Sequence, residues 1–402
     1  MGAYGRRITL LTTCVVFALL TNSGFAAPGD LNEEFRQFQE SVNNSQSRQN
    51  QNNLNQEFNN FLKASEQELK REAAEYAAYK KEILKQWDKF KGSTKKEWVD
   101  YSNNKSSRSI VNFEKGNILL EVLIPAEPEA KPKPQKTKEQ KIAALKKLQK
   151  QLERILTDSS IDGKSPIHKQ LQTASGKPLT RRNLQEFSKK ELQNKIIIDE
   201  QPYVAKDGKK RLKAKVSIKM VPDHLKIRAD KFNKSVKKYS KKYDVDPALV
   251  LAVIHTESYF NPKARSHIPA FGLMQLVPSS GGRDAYRHAF GKDKKPSASF
   301  LYKPENNIRL GTAYLDLLSK REFKKIKDPI SQMYLVIAAY NTGGGNVSRA
   351  LTGSKNIYKN SSKINRMSSK QIYASLKRNL PYKETRDYIE KVNDRKKIYD
   401  AY

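Results

Sequence analysis

The chain has 402 residues, room for two domains, and its 77 lysines and arginines against 42 acidic residues give a formal net charge of +35. Such a balance draws a protein to polyanions. The basic residues run along the whole chain without a helix-turn-helix, zinc-finger or RNA-binding signature, so nucleic acid rests on charge alone and is not an expected partner.

Arg6 and Arg7 precede an apolar run from Ile8 to Leu20, and Gly24 and Ala26 put small residues where a signal peptidase reads. The run is too short to span a bilayer and polar residues follow it. Residues 1–26 are therefore expected to be an export signal leading to the periplasm. The only cysteine, Cys14, lies inside that run, so cleavage after Ala26 would leave a chain with no disulfide and no cysteine-based metal site. Residues 27–60 include a stretch from Asn43 to Asn60 that is rich in Asn and Gln and is expected to be disordered.

Residues 61–221 read as a smaller mixed α+β domain. Apolar and alanine positions from Phe61 to about Phe90 suit a long amphipathic helix. Ser109 to Ile124 reads as a hairpin, with Ile110 and Phe113 on one arm, a turn at Lys115-Gly116-Asn117, and Ile118 to Leu123 on the other. Proline, alanine and charge alternate near 125–136, which marks a linker or an inserted loop. Ile142, Leu145, Leu148, Leu152 and Ile155 follow at helical spacing. Ile196 to Val204 forms one further strand arm and Asp207-Gly208 a turn. Leu212, Ala214, Val216, Ile218 and Met220 then alternate with Arg211, Lys213, Lys215, Ser217 and Lys219, the pattern of a half-buried strand.

From Pro222 to Tyr402 the pattern is nearly all helical, so the fold class is α+β with a mainly α domain at the C-terminus. Asp246-Pro247 reads as an N-cap and first helical residue, and Leu249, Val250, Val253 and Ile254 recur at helical spacing. Glu257 projects from the same face. A carboxyl there loses hydration, its pKa should rise, and it could hold a proton near neutral pH as a general acid must. A helix-terminal Glu turned to solvent is the ordinary alternative. His255, two residues earlier, turns away from that face and reads as a satisfied or exposed histidine. A buried helix from Gln332 to Tyr340 is expected to face the Glu257 helix, with the site between them. Gly343-Gly344-Gly345 lacks the Lys-Ser or Lys-Thr of a phosphate loop and reads as a turn. Between Glu257 and Asn341 the other acids are Asp284, Asp293, Glu305, Asp316, Glu322 and Asp328, none of them within a motif.

Glu257-Ser258-Tyr259-Phe260-Asn261, then Gly272-Leu273-Met274-Gln275, then Ala339-Tyr340-Asn341-Thr342-Gly343 stand in the order and spacing of the lytic transglycosylases with a lysozyme-like fold. The chain resembles that family, and the stretches at Met220–Leu225, Ser299–Tyr302 and Asn307–Leu315 extend the resemblance toward a membrane-bound branch. The likeness is close from about Val216 to Tyr402 and looser upstream. It implies a lysozyme-like catalytic domain over 222–402 and cleavage of the β-1,4 bond between N-acetylmuramic acid and N-acetylglucosamine in murein. It also implies that the 6-hydroxyl of the muramic acid attacks its own anomeric carbon to leave a 1,6-anhydro end. Glu257 would act as acid and then base, and no cofactor or metal would be required. Ser266 would orient substrate, Met274 and Gln275 would line sugar subsites, Tyr340 and Asn341 would position acetamido groups, and Tyr388 would approach the site from the C-terminal segment. The alternatives are core packing for Met274, capping of a helix end for Tyr340, and a place on an amphipathic helix with Ile389 and Val392 for Tyr388. The expected partners are peptidoglycan glycan strands and an anionic envelope surface. Membrane-bound members carry lipid on a cysteine just after the apolar run, and Cys14 fits that place poorly. Two rival readings stay open: a goose-type lysozyme that uses water, and a murein-binding scaffold without activity.

Overall fold

A computed structural model describes Arg71 and residues 74–126, 133–160, 163–266 and 270–400. The export signal, Cys14, the Asn43–Asn60 stretch and residues 127–132 of the proline-rich segment lie outside the described residues. Contacts divide the chain into two compact units at Phe90. In the first, helix is described over 74–84, and Tyr76 and Tyr79 set their ring edges against Phe90 at 5.7 and 6.2 Å. The second unit holds a sheet layer and a helical layer.

Six strands make the sheet: β1 Glu97–Tyr101, β2 Ser107–Asn112, β3 Asn117–Pro125, β4 Ile197–Ile198, β5 Tyr203–Val204 and β6 Lys210–Lys219. Their order is β1-β2-β3-β6-β4, with β5 also on β6, and every pairing is antiparallel. The expected hairpin is β2–β3, but Phe113 lies in its turn rather than on an arm, and Gly116 takes the left-handed conformation, φ +63°, that closes it. β1 was not legible beforehand. The arm expected from Ile196 to Val204 is two short strands interrupted around Pro202, whose ring removes a ladder donor. β6 follows the expected alternation, burying Leu212, Ala214, Val216 and Ile218 and wetting the lysines between them.

Helix α1, Lys133–Leu156, lies across one sheet face. Its buried stripe is Ala144, Leu148, Leu152 and Ile155, packed with Ile118, Leu120 and Val122, while Ile142 is 57% exposed. The expected stripe therefore fails at its first member. Gln151, buried on the same face, accepts from the Ser107 hydroxyl at 3.1 Å and donates to the Asp100 carbonyl at 3.0 Å.

The helical layer comprises α2 His224–Tyr243, α3 Pro247–Ser258, α4 Gly281–Phe290, α5 Pro304–Leu317, α6 Pro329–Thr342, α7 Gly344–Thr352, α8 Ile357–Ile364, α9 Ser369–Asn379 and α10 Lys383–Asp400. α3 starts as the sequence prescribes, the Asp246 carboxylate accepting the Ala248 N–H at 2.8 Å with Pro247 in the first turn. Every residue from Ala248 to Ile254 is buried, so α3 is a central helix covered on all sides rather than a one-faced amphipath. Its main neighbours are α10 and α2. α6 packs on α10, α7 and α9 and carries Tyr340 at its end to the Glu257 carboxyl, as expected, while α10 lies along α3 as well.

Candidate active site

Glu257 is the penultimate residue of α3 and is 5% exposed. Three consecutive constraints end the helix there. Tyr259 and Phe260 both adopt left-handed backbone, φ 52° and 60°, sparsely populated by large side chains. The Ser258 hydroxyl is shared by the Ile254 and Leu273 carbonyls at 3.1 and 2.7 Å, which ties the helix end to the loop carrying Met274 and Gln275. Buried Asn261 then turns the chain, its Oδ1 accepting the Lys263 N–H at 3.0 Å.

Burial raises the pKa of Glu257; Lys95 and the Tyr388 hydroxyl oppose the rise, and the Glu384 carboxylate adds to it. The Lys95 ammonium stands 3.6 Å from Glu257 Oε2 and 3.6 Å from Glu384 Oε1. Lys95 comes from the loop before β1, so the sheet layer reaches the Glu257 carboxyl. Nothing in the sequence marked it: it is one of 77 basic residues, outside every motif.

Asn307, fully buried on α5, holds the Phe271–Gln275 loop. It donates to the Phe271 and Leu301 carbonyls at 2.8 and 2.9 Å and accepts the Met274 N–H at 2.8 Å. Its amide presses so close to Gly272, φ +76°, that a side chain there would collide with it. Met274 is fully buried, its sulfur against Gly311 in the core. Its carbonyl, rather than its side chain, meets the site, accepting the Tyr340 hydroxyl at 2.8 Å. Gln275, 7% exposed with φ 47°, donates both amide hydrogens to the Gly272 and Ala264 carbonyls at 2.9 and 3.1 Å, while its Oε1 is buried without a partner.

Tyr340, at the end of α6, packs against the Tyr314 ring at 5.4 Å. Burial and the nearby Glu257 carboxylate push its hydroxyl far above the usual tyrosine range. Tyr388, on α10, is 5% exposed and faces Glu257 without closing a well-formed hydrogen bond; burial and that carboxylate likewise push it up. Both phenols therefore stay neutral donors at any working pH. Asn341 Oδ1 accepts the Thr385 hydroxyl at 2.6 Å, linking α6 to α10. Ser266 is partly exposed, next to 267–269, which lie outside the described residues; its N–H donates to the Ala270 carbonyl at 3.2 Å. The structure thus draws Glu257, Tyr340 and Tyr388 together, with Gln275 and Asn341 held in the supporting loop and helix junction.

His255 is buried and bonded to the Tyr399 hydroxyl at 3.1 Å, with burial and the guanidinium groups of Arg395 and Arg228 driving its pKa down to about 3. It is a neutral core histidine. Gly343, φ +83°, turns the chain between α6 and α7, and the Glu322 carboxylate occupies the space a side chain on Gly344 would need.

Two further groups clamp the layers. Arg228, 2% exposed on α2, donates to the Tyr259 carbonyl at 3.0 Å, Gln170 Oε1 at 2.6 Å and the Phe113 carbonyl at 2.8 Å, joining the sheet to the end of α3. Glu114 accepts from Lys96 and from the Tyr259 hydroxyl, each at 2.7 Å, and Arg395 donates to that same hydroxyl at 2.7 Å.

A family model described as the transglycosylase SLT domain matches residues 234–362. Membrane-bound lytic murein transglycosylase C of Salmonella typhimurium is 34% identical over 312 residues, covering 76% of this chain and 82% of that protein. The protein of that name from Cronobacter sakazakii is 34% identical over 309 residues with the same coverage. Among solved structures, the 70 kDa soluble lytic transglycosylase Slt70 of Escherichia coli matches 42% of this chain and 24% of its own at 27% identity, with a TM-score of 0.34.

Proposed function

Because this chain belongs to the lytic murein transglycosylases, lyases that act on peptidoglycan, we propose that Glu257 alone carries the proton transfers and that the substrate supplies its own nucleophile. The supporting observation is the burial of Glu257, which favours the protonated carboxyl that the first step needs. Glu257 protonates the glycosidic oxygen between N-acetylmuramic acid and N-acetylglucosamine as the bond to the anomeric carbon breaks. The resulting carboxylate takes the proton from the muramic acid 6-hydroxyl as that oxygen bonds the anomeric carbon. The product ends in a 1,6-anhydro ring, no water is consumed, and Glu257 regains its proton.

The surrounding groups have roles consistent with this path. Tyr388 and Tyr340 hold neutral hydroxyls beside the carboxyl, and the free Oε1 of Gln275 offers an acceptor to a sugar hydroxyl or acetamido N–H. Asn341 and Ser266 orient the glycan, and Met274 acts through the carbonyl that fixes Tyr340. We place the enzyme in the periplasm after removal of residues 1–26, acting on glycan strands, with its charge holding it to anionic wall and membrane surfaces. No helix among the described residues is long and apolar enough to cross a membrane.

One observation favours a second reading. Glu384 shares an ammonium with Glu257, so a second carboxylate stands nearby, where a hydrolase would want one to activate water. Mass spectrometry of muropeptides released from purified murein separates the two. The lyase gives products lighter by one water than hydrolytic muropeptides, and Glu257→Gln releases none; reducing ends would move the chain to the lysozyme-type hydrolases.

A further inference from the structure

We propose that Lys95 is a positioning residue for the acid-to-base switch of Glu257: its ammonium leans on Glu384 while Glu257 holds a proton and on Glu257 once that proton has left. The inference rests on the role assigned to Glu257 above and adds a residue from outside the helical layer.

The distances carry it. Lys95 Nζ is 3.6 Å from each carboxylate, longer than the roughly 2.7–2.9 Å of a committed charge-assisted bond. The two carboxylates are not equivalent. The Glu257 side chain is 6% exposed and that of Glu384 is 74% exposed, so the ammonium stands between a low-dielectric partner and a solvated one. A charge in the first environment is felt several-fold more strongly than one in the second. With Glu257 neutral, Glu384 is the only anion paired with Lys95 among the described residues. Once Glu257 is ionised, the buried anion wins.

The backbone of Lys95 is fixed while its side chain stays half in solvent. Thr94 N–H donates to the Glu97 carbonyl at 2.9 Å, the Lys96 carbonyl accepts the Phe113 N–H at 2.9 Å, and Asn261 Nδ2 reaches the Lys95 carbonyl at 3.5 Å. Lys96 is held by Glu114, which also holds Tyr259 directly after the acid helix. The lysine thus pivots on a base anchored to both layers.

Proton and bond accounts are unchanged by it. The proton passes from Glu257 to the glycosidic oxygen and returns from the 6-hydroxyl; Lys95 keeps its own protons and acts only through its charge. The other groups facing Glu257 are Tyr388 and Tyr340, which remain neutral, and Glu384; the Arg395 guanidinium, which acts on Tyr388 from α10, is bonded to the Tyr259 hydroxyl. Lys95 is the cation that stands between the Glu257 and Glu384 carboxylates, and the sheet layer completes the site rather than merely supporting it.

The test is the pH dependence of kcat/KM for muropeptide release by the full mature chain, its Lys95→Met, Lys95→Arg and Glu384→Gln variants. Activity falls as pH rises through the point where free Glu257 loses its proton. Removing the cation moves that alkaline limb up and removing Glu384 moves it down, each by roughly 1 pH unit, the low end for a charge within 4–6 Å; Lys95→Arg restores the limb. Unmoved limbs with only a lower rate would overturn the proposal. If Lys95→Met is too slow to assay, the carboxyl carbon resonance of Glu257 in isotope-labelled protein reports the same midpoint, and a midpoint unchanged from that of the parent overturns it equally. Failure to form anhydro ends would instead strike the parent reading, while the resonance would still report on Lys95.

Discussion

The Tyr340 hydroxyl donates to the Met274 carbonyl at 2.8 Å, and this bond joins the end of α6 to the loop that follows α3. It explains how Met274 can belong to the site motif with a side chain buried in the core. It also sets the phenol ring that packs against Tyr314 and lies beside Glu257. Tyr340→Phe keeps the ring and strands the carbonyl, so stability should fall by about 1–3 kcal/mol in a denaturant titration, and turnover should fall with it. Unchanged stability would show that the carbonyl finds another donor.

Glu257 should cost the fold stability at neutral pH. Its pKa is raised by burial in the native state, so the folded chain holds this proton more tightly than the unfolded chain does. Stability is then full below the ordinary carboxyl value of 4.5 and is lost as pH rises through the higher native value. Glu257→Gln removes that loss. Melting temperatures of the variant and parent should coincide at acid pH and diverge, the variant higher, as pH is raised; a variant less stable at neutral pH would mean that Lys95 more than offsets burial.

Gly311→Ala should destabilise the helical layer although alanine is the better helix former. A side chain at 311 would overlap the Met274 sulfur and approach its Cβ to 2.9 Å, so the neighbour has to move. Overpacking costs about 1–3 kcal/mol against about 1 kcal/mol gained from helix propensity. A lower unfolding midpoint and slower murein cleavage together are the expected outcome, since the Met274 carbonyl would shift away from Tyr340.

What could be read from the sequence was local. Asp246-Pro247 and the apolar positions behind it specify α3, and the strict alternation from Leu212 to Ile218 specifies β6, because each rests on neighbours within a turn or a pleat. Ile142 misled because a helical period admits two adjacent stripes, and only the sheet that α1 covers chooses Ala144 over it. The extent to which α10 lies along α3 was hidden for a related reason: α6 and α10 both carry buried residues, and the chain pattern does not say how much of α3 each covers. Lys95, Arg228 and Asn307 act across 162, 31 and 33–36 positions of sequence, separations at which charge and amide groups leave no periodic trace.

The nucleophile is best tested by digesting murein with the mature protein in water enriched in heavy oxygen and weighing the new glycan ends. Attack by the muramic acid 6-hydroxyl predicts ends that carry no label and are lighter by one water. Heavy oxygen at a reducing end would mean that water is the nucleophile and that Glu257 works with a second carboxyl in a hydrolase.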